Sequence, residues 1–343
     1  MTHGFDPQNG SGPLGVAIIG AGLMGRWHAA AARRMGARVC GIVDSDLGRA
    51  KRLAAKAGTR AYADFDQMLG PARPDVVHIC SPTRTHGQFI DAAIKAGIHV
   101  FAEKPLVDDM AQTRDVLGAA ERAGVQICPV HQYAFQPVFE RVPATLAKLG
   151  DLIDIELKFY SAGGANVPLE RHAELAADIL PHPISILQRV LPECDLAALD
   201  WRIDGLGSQN WHLMAAAGPT QLRIVLSLAA RPTCAQMRVS GRRAGLYADL
   251  FHGFSVISDG TPGRRNKILQ PFSQSVQRFS QAAFNLTGRV VRREPAYPGL
   301  RPLTGAFYAA CRGTGAAPIS AAQILQGAAV RDLFVSQTRA DAP

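Results

Sequence analysis

The chain has 343 residues, 47% hydrophobic and 19% charged, a globular composition too long for one typical core, so two domains are expected. No apolar run reaches the roughly 20 residues that span a bilayer, so no membrane partner is expected. The formal net charge is +9, but it is dispersed in pairs such as Arg242-Arg243, Arg264-Arg265 and Arg292-Arg293, with no basic arm and no aromatic interleaving. That pattern argues against nucleic acid and fits a solvated surface on which some arginines attract an anionic cofactor or substrate.

Met1 to Pro13 is polar and Gly-rich, without a basic or apolar signal region, and reads as a disordered leader. Val16 to Ile19 then reads as a buried strand that runs into Gly20-Ala21-Gly22-Leu23-Met24-Gly25, a GxGxxG turn. A helical stretch, Arg26 to Met35, and a second apolar strand, Val39 to Val43, follow, and the strand ends in Asp44. This is the context of a dinucleotide fingerprint. The first glycine permits the tight turn, the second lets backbone approach a pyrophosphate, and the third lets helix pack on strand. The helix N-terminus offers free N–H groups to phosphate. Asp44 stands about 20 residues beyond the glycines, where a carboxylate accepts from a ribose 2′-hydroxyl. No arginine follows it directly and Arg49 is the nearest, so the expected cofactor is NAD in preference to NADP.

A third strand, Asp75 to Cys80, leads into Ser81-Pro82-Thr83-Arg84-Thr85-His86. After a helical segment, Gln88 to Ala96, the strand His99 to Ala102 ends in Glu103-Lys104-Pro105-Leu106. The carboxyl edge of an open α/β sheet is where ligands bind. The glycine turn, the Pro/Thr-rich loop ending in His86 and the Glu-Lys-Pro motif together resemble the glucose–fructose oxidoreductase / inositol dehydrogenase (Gfo/Idh/MocA) family, strongly over residues 14–140 and more loosely beyond. The resemblance implies that Lys104 touches both the nicotinamide ribose and the substrate. It also implies that Ser81, Thr83, His86 and Glu103 join Gly20, Gly22, Leu23, Met24, Gly25 and Asp44 around the cofactor.

The strand Val125 to Val130 opens on His131-Gln132-Tyr133-Ala134-Phe135-Gln136-Pro137. Family members carry Asn-x-Arg-Phe-x-Pro there; Phe135 and Pro137 remain, while Gln132 and Ala134 replace the polar pair. His131 and Tyr133 are the substrate-binding candidates of this segment. After a helical stretch, Phe139 to Leu149, apolar and polar residues alternate from Ile153 to Tyr160, and similar strands fall near 221–228, 235–240, 245–251 and 254–258. Ser320 has the form of an N-cap for a last helix, Ala321 to Ser336. The family's Asp-x-Gly-x-His signature aligns with Asp178-Ile179-Leu180-Pro181-His182, four residues apart and so on one face of a helix. Pro181 breaks that helix, and a new one is expected to start at Pro183. His182 is then either the proton-transfer group or a helix-capping histidine.

The expected fold is α/β: an N-terminal Rossmann doubly wound parallel sheet, residues 14–130, and a C-terminal α+β domain with an open, mostly antiparallel sheet, residues 131–343. The expected function is NAD(P)-dependent hydride transfer to or from a polyol, sugar or sugar derivative. Lys104, Asp178 and His182 are the catalytic candidates, with His182 as base, Lys104 favouring alkoxide character and Asp178 orienting His182 or binding a neighbouring hydroxyl. The alternatives are a non-redox NAD-binding regulator, or an NAD-dependent sugar epimerase or glycosidase with no net redox change. Six scattered cysteines without a CxxC point to a reducing cytoplasm and to no metal site. The resemblance implies a homo-oligomer, dimer or tetramer, formed through the C-terminal sheet.

Overall fold

A computed structural model describes residues 12–205, 207, 209–260, 263–294 and 296–340. Most of the segment read as a leader, residues 1–11, lies outside that set. The chain divides into two compact units, one formed by residues 1–131 and 300–328, the other by residues 132–299 and 329–343.

The first unit alternates strand and helix: β1 (Gly15–Ile19), α1 (Leu23–Arg34), β2 (Arg38–Val43), α2 (Leu47–Ala57), β3 (Ala61–Tyr62), α3 (Phe65–Ala72), β4 (Val76–Ile79), α4 (His86–Lys95), β5 (His99–Ala102), α5 (Met110–Ala123) and β6 (Ile127–Pro129). The strands pair in parallel in the order β3-β2-β1-β4-β5-β6. Strands β1, β4 and β5 are buried along their whole length, because helices cover both faces of a parallel sheet. The order reverses between β1 and β4, and the carboxyl ends of these two strands open the crevice in which such sheets take their ligands.

The second unit contains α6 (Val142–Leu149), β7 (Leu152–Tyr160), α7 (His172–Ile179), α8 (Pro181–Val190), β8 (Arg202–Gly205), β9 (Asn210–Ala217), β10 (Thr220–Ser227), β11 (Cys234–Gly241), β12 (Ala244–Asp249), β13 (Phe254–Asp259) and α9 (Arg264–Val291). Its sheet runs β13-β12-β11-β7-β10-β9-β8. Every pairing is antiparallel except β7 with β10. Ile155, Leu157 and Phe159 alternate inward and join Leu222, Ile224, Leu226, Met237 and Val239 in the core. Asp154 and Glu156 face outward and hold Arg223 of β10 at 2.9 and 3.1 Å.

Three details depart from the sequence reading. Strands β8 and β9 were not anticipated; Asn210–Ala217 has no β-branched residue, and it is held by β10 on one side and β8 on the other. Helix α8 begins at Pro181, two residues before the expected Pro183. Leu180 keeps helical dihedrals and Pro181 takes the first helical position, where no N–H is needed. Residues 300–328, expected with the C-terminal domain, belong to the first unit. They carry α10 (Leu300–Cys311) and the start of α11 (Ala321–Ala340). The Ser320 cap does form: its hydroxyl accepts from the Gln323 amide at 3.2 Å, while the Gln323 side chain accepts from the Ser320 amide at 3.0 Å.

Candidate active site

The glycine turn is built by close backbone approach. Gly20 has φ +96°, and a Cβ there would lie 2.7 Å from the Cys80 carbonyl. A Cβ on Gly25 would collide with the Gly20 carbonyl oxygen. Gly22 is different: a Cβ there would meet nothing within 4 Å. It is the N-cap of α1, no side chain caps it, and the first turn carries no acidic residue. That leaves open room and unspent donors where a pyrophosphate requires them.

A groove of about 890 Å³ runs from this turn along the carboxyl ends of the strands. Gly20, Gly22, Asp44 and Ser81 line it, together with Ser45, Arg49, Arg84 and Thr85. Leu23 is exposed beside the turn. Asp44 is nearly buried and its carboxylate is held by three donors. The Ala21 amide donates to Oδ2 at 2.7 Å, and the Asp46 amide and Arg49 Nη2 donate to Oδ1 at 2.8 and 3.1 Å. A carboxylate has about four acceptor positions, so capacity remains for one hydroxyl. Asp44 and the Gly20–Gly22 turn fit the adenosine and diphosphate parts of a dinucleotide. Thr83 sits in a short 3-10 turn, and Ser81 accepts the Thr85 hydroxyl at 2.7 Å. Both ring nitrogens of His86 face backbone carbonyls: Nε2 lies 2.9 Å from Ser81, and Nδ1 3.1 Å from Pro105 and from Leu106. His86 thereby ties the Pro/Thr loop to the Glu-Lys-Pro segment.

Glu103 and Lys104 follow β5 directly, and the Lys104 amide donates to Glu103 Oε2 at 3.3 Å. Behind them lies a buried polar chain that the sequence reading missed. Glu103 Oε1 is 3.1 Å from His28 Nε2, His28 Nδ1 is 3.1 Å from His78 Nδ1, and His78 Nε2 is 2.9 Å from the Tyr308 hydroxyl. One assignment gives every contact a donor and an acceptor with a single buried charge: Tyr308 donates to His78, His78 to His28, and His28 to an ionised Glu103. Burial pulls the Glu103 carboxyl upward, but the His28 bond and the nearby Lys104 outweigh it and hold it below its ordinary value. Burial keeps His78 well below the usual imidazole range and hence neutral. The signal available in sequence was His78 itself, a polar ring within Val76-Val77-His78-Ile79 that must find partners when buried. Tyr308 lies 230 residues away and has no such local signal.

His131 ends the first unit. Burial, reinforced by the Lys104 cation and opposed by Glu103, depresses its pKa to about 4, and its Nδ1 has no hydrogen-bond partner. In the second unit, His182 lies in the first turn of α8. The Tyr133 ring stands edge-on to it at 4.7 Å, and the Phe159 ring lies near-parallel at 6.3 Å. Burial, with Tyr297 and Asp249 adding to it, pushes the Tyr133 phenol up to about 12, so at neutral pH it donates. Asp178 pairs with Arg331 at 3.4 Å. A smaller cavity of about 200 Å³ is lined by Gln132, Tyr133, Gln136, Arg289 and Tyr297 among others. His172 is buried and bound through Nε2 to the carbonyls of Gly164 and Val167, a structural tie. Among the described residues, no three His, Cys, Asp or Glu side chains group as metal ligands, and no helix is long and apolar enough to cross a membrane.

Residues 14–131 match the model of an oxidoreductase family with an NAD-binding Rossmann fold. The chain is 35% identical over 147 residues to a D-glucoside 3-dehydrogenase of Escherichia coli, which is 41% of this chain and 42% of that one. It is 40% identical over 106 residues to an inositol 2-dehydrogenase of Leifsonia xyli, 30% and 31% of the two chains. It thus spans less than half the length of these relatives. Solved structures share the fold over nearly the whole chain. The WlbA dehydrogenase of Bordetella pertussis, in complex with NADH and UDP-GlcNAcA, superposes with a TM-score of 0.74 at 14% identity, covering 97% of each chain. A levoglucosan dehydrogenase in complex with NADH and levoglucosan gives 0.74 at 16% identity, covering 96% and 98%.

Proposed function

We propose that the chain is a member of the Gfo/Idh/MocA oxidoreductase family, whose model matches residues 14–131, and an NAD-dependent dehydrogenase or reductase acting on a CH–OH group of a polyol, sugar or sugar derivative. The observation that carries the reading is Lys104. It follows the last residue of β5 by two positions, at the ligand edge of a Rossmann sheet, on a carboxylate that a buried hydrogen-bond chain keeps ionised. A nucleotide sensor has no need of a lysine so placed. The relatives include sugar and inositol dehydrogenases, which supports the substrate class.

The bound nicotinamide supplies the hydride chemistry; the chain supplies binding and proton management. The first-turn amides of α1, at Leu23, Met24 and Gly25, take the diphosphate, Asp44 accepts from a ribose hydroxyl, and Ser81, Thr83 and His86 shape the nicotinamide end. Lys104 donates to the reacting oxygen and lowers the cost of alkoxide character. His182 accepts the hydroxyl proton in oxidation and returns it in reduction. Asp178 binds a neighbouring hydroxyl or orients His182. Tyr133, protonated at neutral pH, donates to the substrate, and His131 accepts from it. NAD is preferred to NADP because Asp44, fixed by three donors, repels a 2′-phosphate, and Arg49 is engaged by Asp44 and Asp46. Six free cysteines fit a reducing cytoplasm.

The test is a panel of polyols, sugars and sugar derivatives assayed for NAD reduction. With the true substrate, Lys104→Ala is expected to lose about 10²–10⁴ in rate while NADH still binds, and His182→Ala to lose the imidazole limb of the pH–rate profile. Tighter binding of NADPH than NADH overturns the cofactor assignment. Turnover without NADH accumulation favours the epimerase or glycosidase alternative, and full activity in Lys104→Ala overturns the mechanism.

A further inference from the structure

We infer that α9 is a self-association helix that pairs with the same helix of a second copy of this chain. Leu269, Phe272, Val276, Phe279, Ala283, Leu286 and Val290 are spaced three and four residues apart throughout, the a/d pattern of a two-helix seam. The six large side chains are 46–77% exposed. The opposite side of the helix is polar and rests on the sheet. Gln274 donates to Ser258 at 2.9 Å, Asn285 donates to the Gly253 carbonyl at 2.7 Å, and Arg278 lies 4.8 Å from the Tyr247 ring centroid. An ordinary surface helix turns its apolar stripe to the core; this one does the reverse. The feature is independent of the proposed chemistry.

Area and charge select the occupant. The exposed seam, with neighbouring Ile268, offers roughly 800 Å² of apolar surface per copy, the scale of the ~800 Å² that each partner contributes to a standard interface. The positions flanking the seam are Ser273, Ser275, Ser280, Ala282 and Thr287, small and uncharged, so two copies approach closely without like-charge repulsion. From Ile268 to Gly288 the one charged residue is Arg278, and it faces the sheet. Ala283 breaks the run of large residues next to Phe279, which leaves room for a bulky side chain from a facing helix. A helix that lies on an anionic membrane carries Lys and Arg along its length beside the apolar face. Here the other basic residues stand only at the two ends.

The experiment is sedimentation equilibrium of the full chain over a wide concentration range. The wild type is expected to be a dimer or a dimer-based oligomer. Phe279→Glu, at the middle of the seam, is expected to weaken association on the order of 30-fold or more, the scale of a buried aromatic anchor, with an unchanged circular dichroism spectrum. Gln277→Glu, exposed on the same helix but off the seam, is expected to leave association unchanged. If Phe279→Glu fails to fold, Phe272→Ser with Leu286→Ser tests the same seam. A monomeric wild type at all concentrations overturns the inference. So does association that persists in the folded seam variants, or a monomer that binds anionic phosphatidylserine vesicles through Phe279. Loss of dehydrogenase activity in Lys104→Ala leaves this readout untouched, so the two proposals fail separately.

Discussion

Replacing Glu103 with glutamine tests the buried polar chain and gives an outcome that is specific to its direction. In the wild type, protons point from Tyr308 through His78 and His28 to the Glu103 carboxylate. That places the single ring proton of His28 on Nε2 and that of His78 on Nδ1. A glutamine can still accept from the Lys104 amide, but its NH₂ then faces His28 Nε2 as a donor. Every contact is satisfied again if both histidines exchange tautomers, so that His28 donates from Nδ1 to His78 and His78 donates from Nε2 to Tyr308. The variant therefore loses charge assistance and not the hydrogen bonds themselves. A bond to a charged group is worth about 1.5–3 kcal/mol and a neutral one about 0.5–1.5, so Glu103→Gln is expected to cost about 1–1.5 kcal/mol. Glu103→Ala leaves the buried His28 nitrogen without an acceptor and is expected to cost roughly 2–4 kcal/mol, the lost bond plus the stranded donor. Denaturant unfolding measures the stabilities, and ¹⁵N NMR of labelled histidine reads the tautomers directly. Unchanged tautomers in Glu103→Gln, or a doubly protonated His28 in the wild type, refute the directional chain.

Two further outcomes follow from the first unit. Gly25→Ala is expected to abolish dinucleotide binding and lower stability by several kcal/mol, because its Cβ meets the Gly20 backbone carbonyl, and Gly20 is itself pinned by its amide bond to Val43 at 2.8 Å; a variant of wild-type stability and NADH affinity refutes this. His131 makes stability pH-dependent in a defined window. Its folded pKa of about 4 lies below the unfolded value of about 6.5, so the unfolded chain binds the proton first as pH falls. Its contribution is intact above pH 6.5 and is expected to decline by about 2 kcal/mol by pH 5. Urea midpoints of the wild type and His131→Gln should converge over that range, and parallel pH curves overturn the assignment.

Local chemistry made much of this molecule legible before any coordinates. A glycine that must accept a neighbouring carbonyl, an aspartate at the end of a buried strand and a Glu-Lys-Pro after another are all decided within a few residues. The Rossmann sheet and its ligand edge follow from them, and the Ser320 cap is set as locally by Gln323 three residues on. The seam on α9 was equally present in the spacing from Leu269 to Val290, but spacing alone does not tell which side of a helix meets its own sheet. Only the tertiary structure turned the polar side inward, through Gln274, Arg278 and Asn285, and left the apolar side out. It likewise brought Tyr308 to His78 across 230 residues, paired β7 with β10 in parallel and returned residues 300–328 to the first unit. These are contacts between remote segments, fixed by the burial each segment gains from the other, and no residue's own neighbourhood in the chain specifies them.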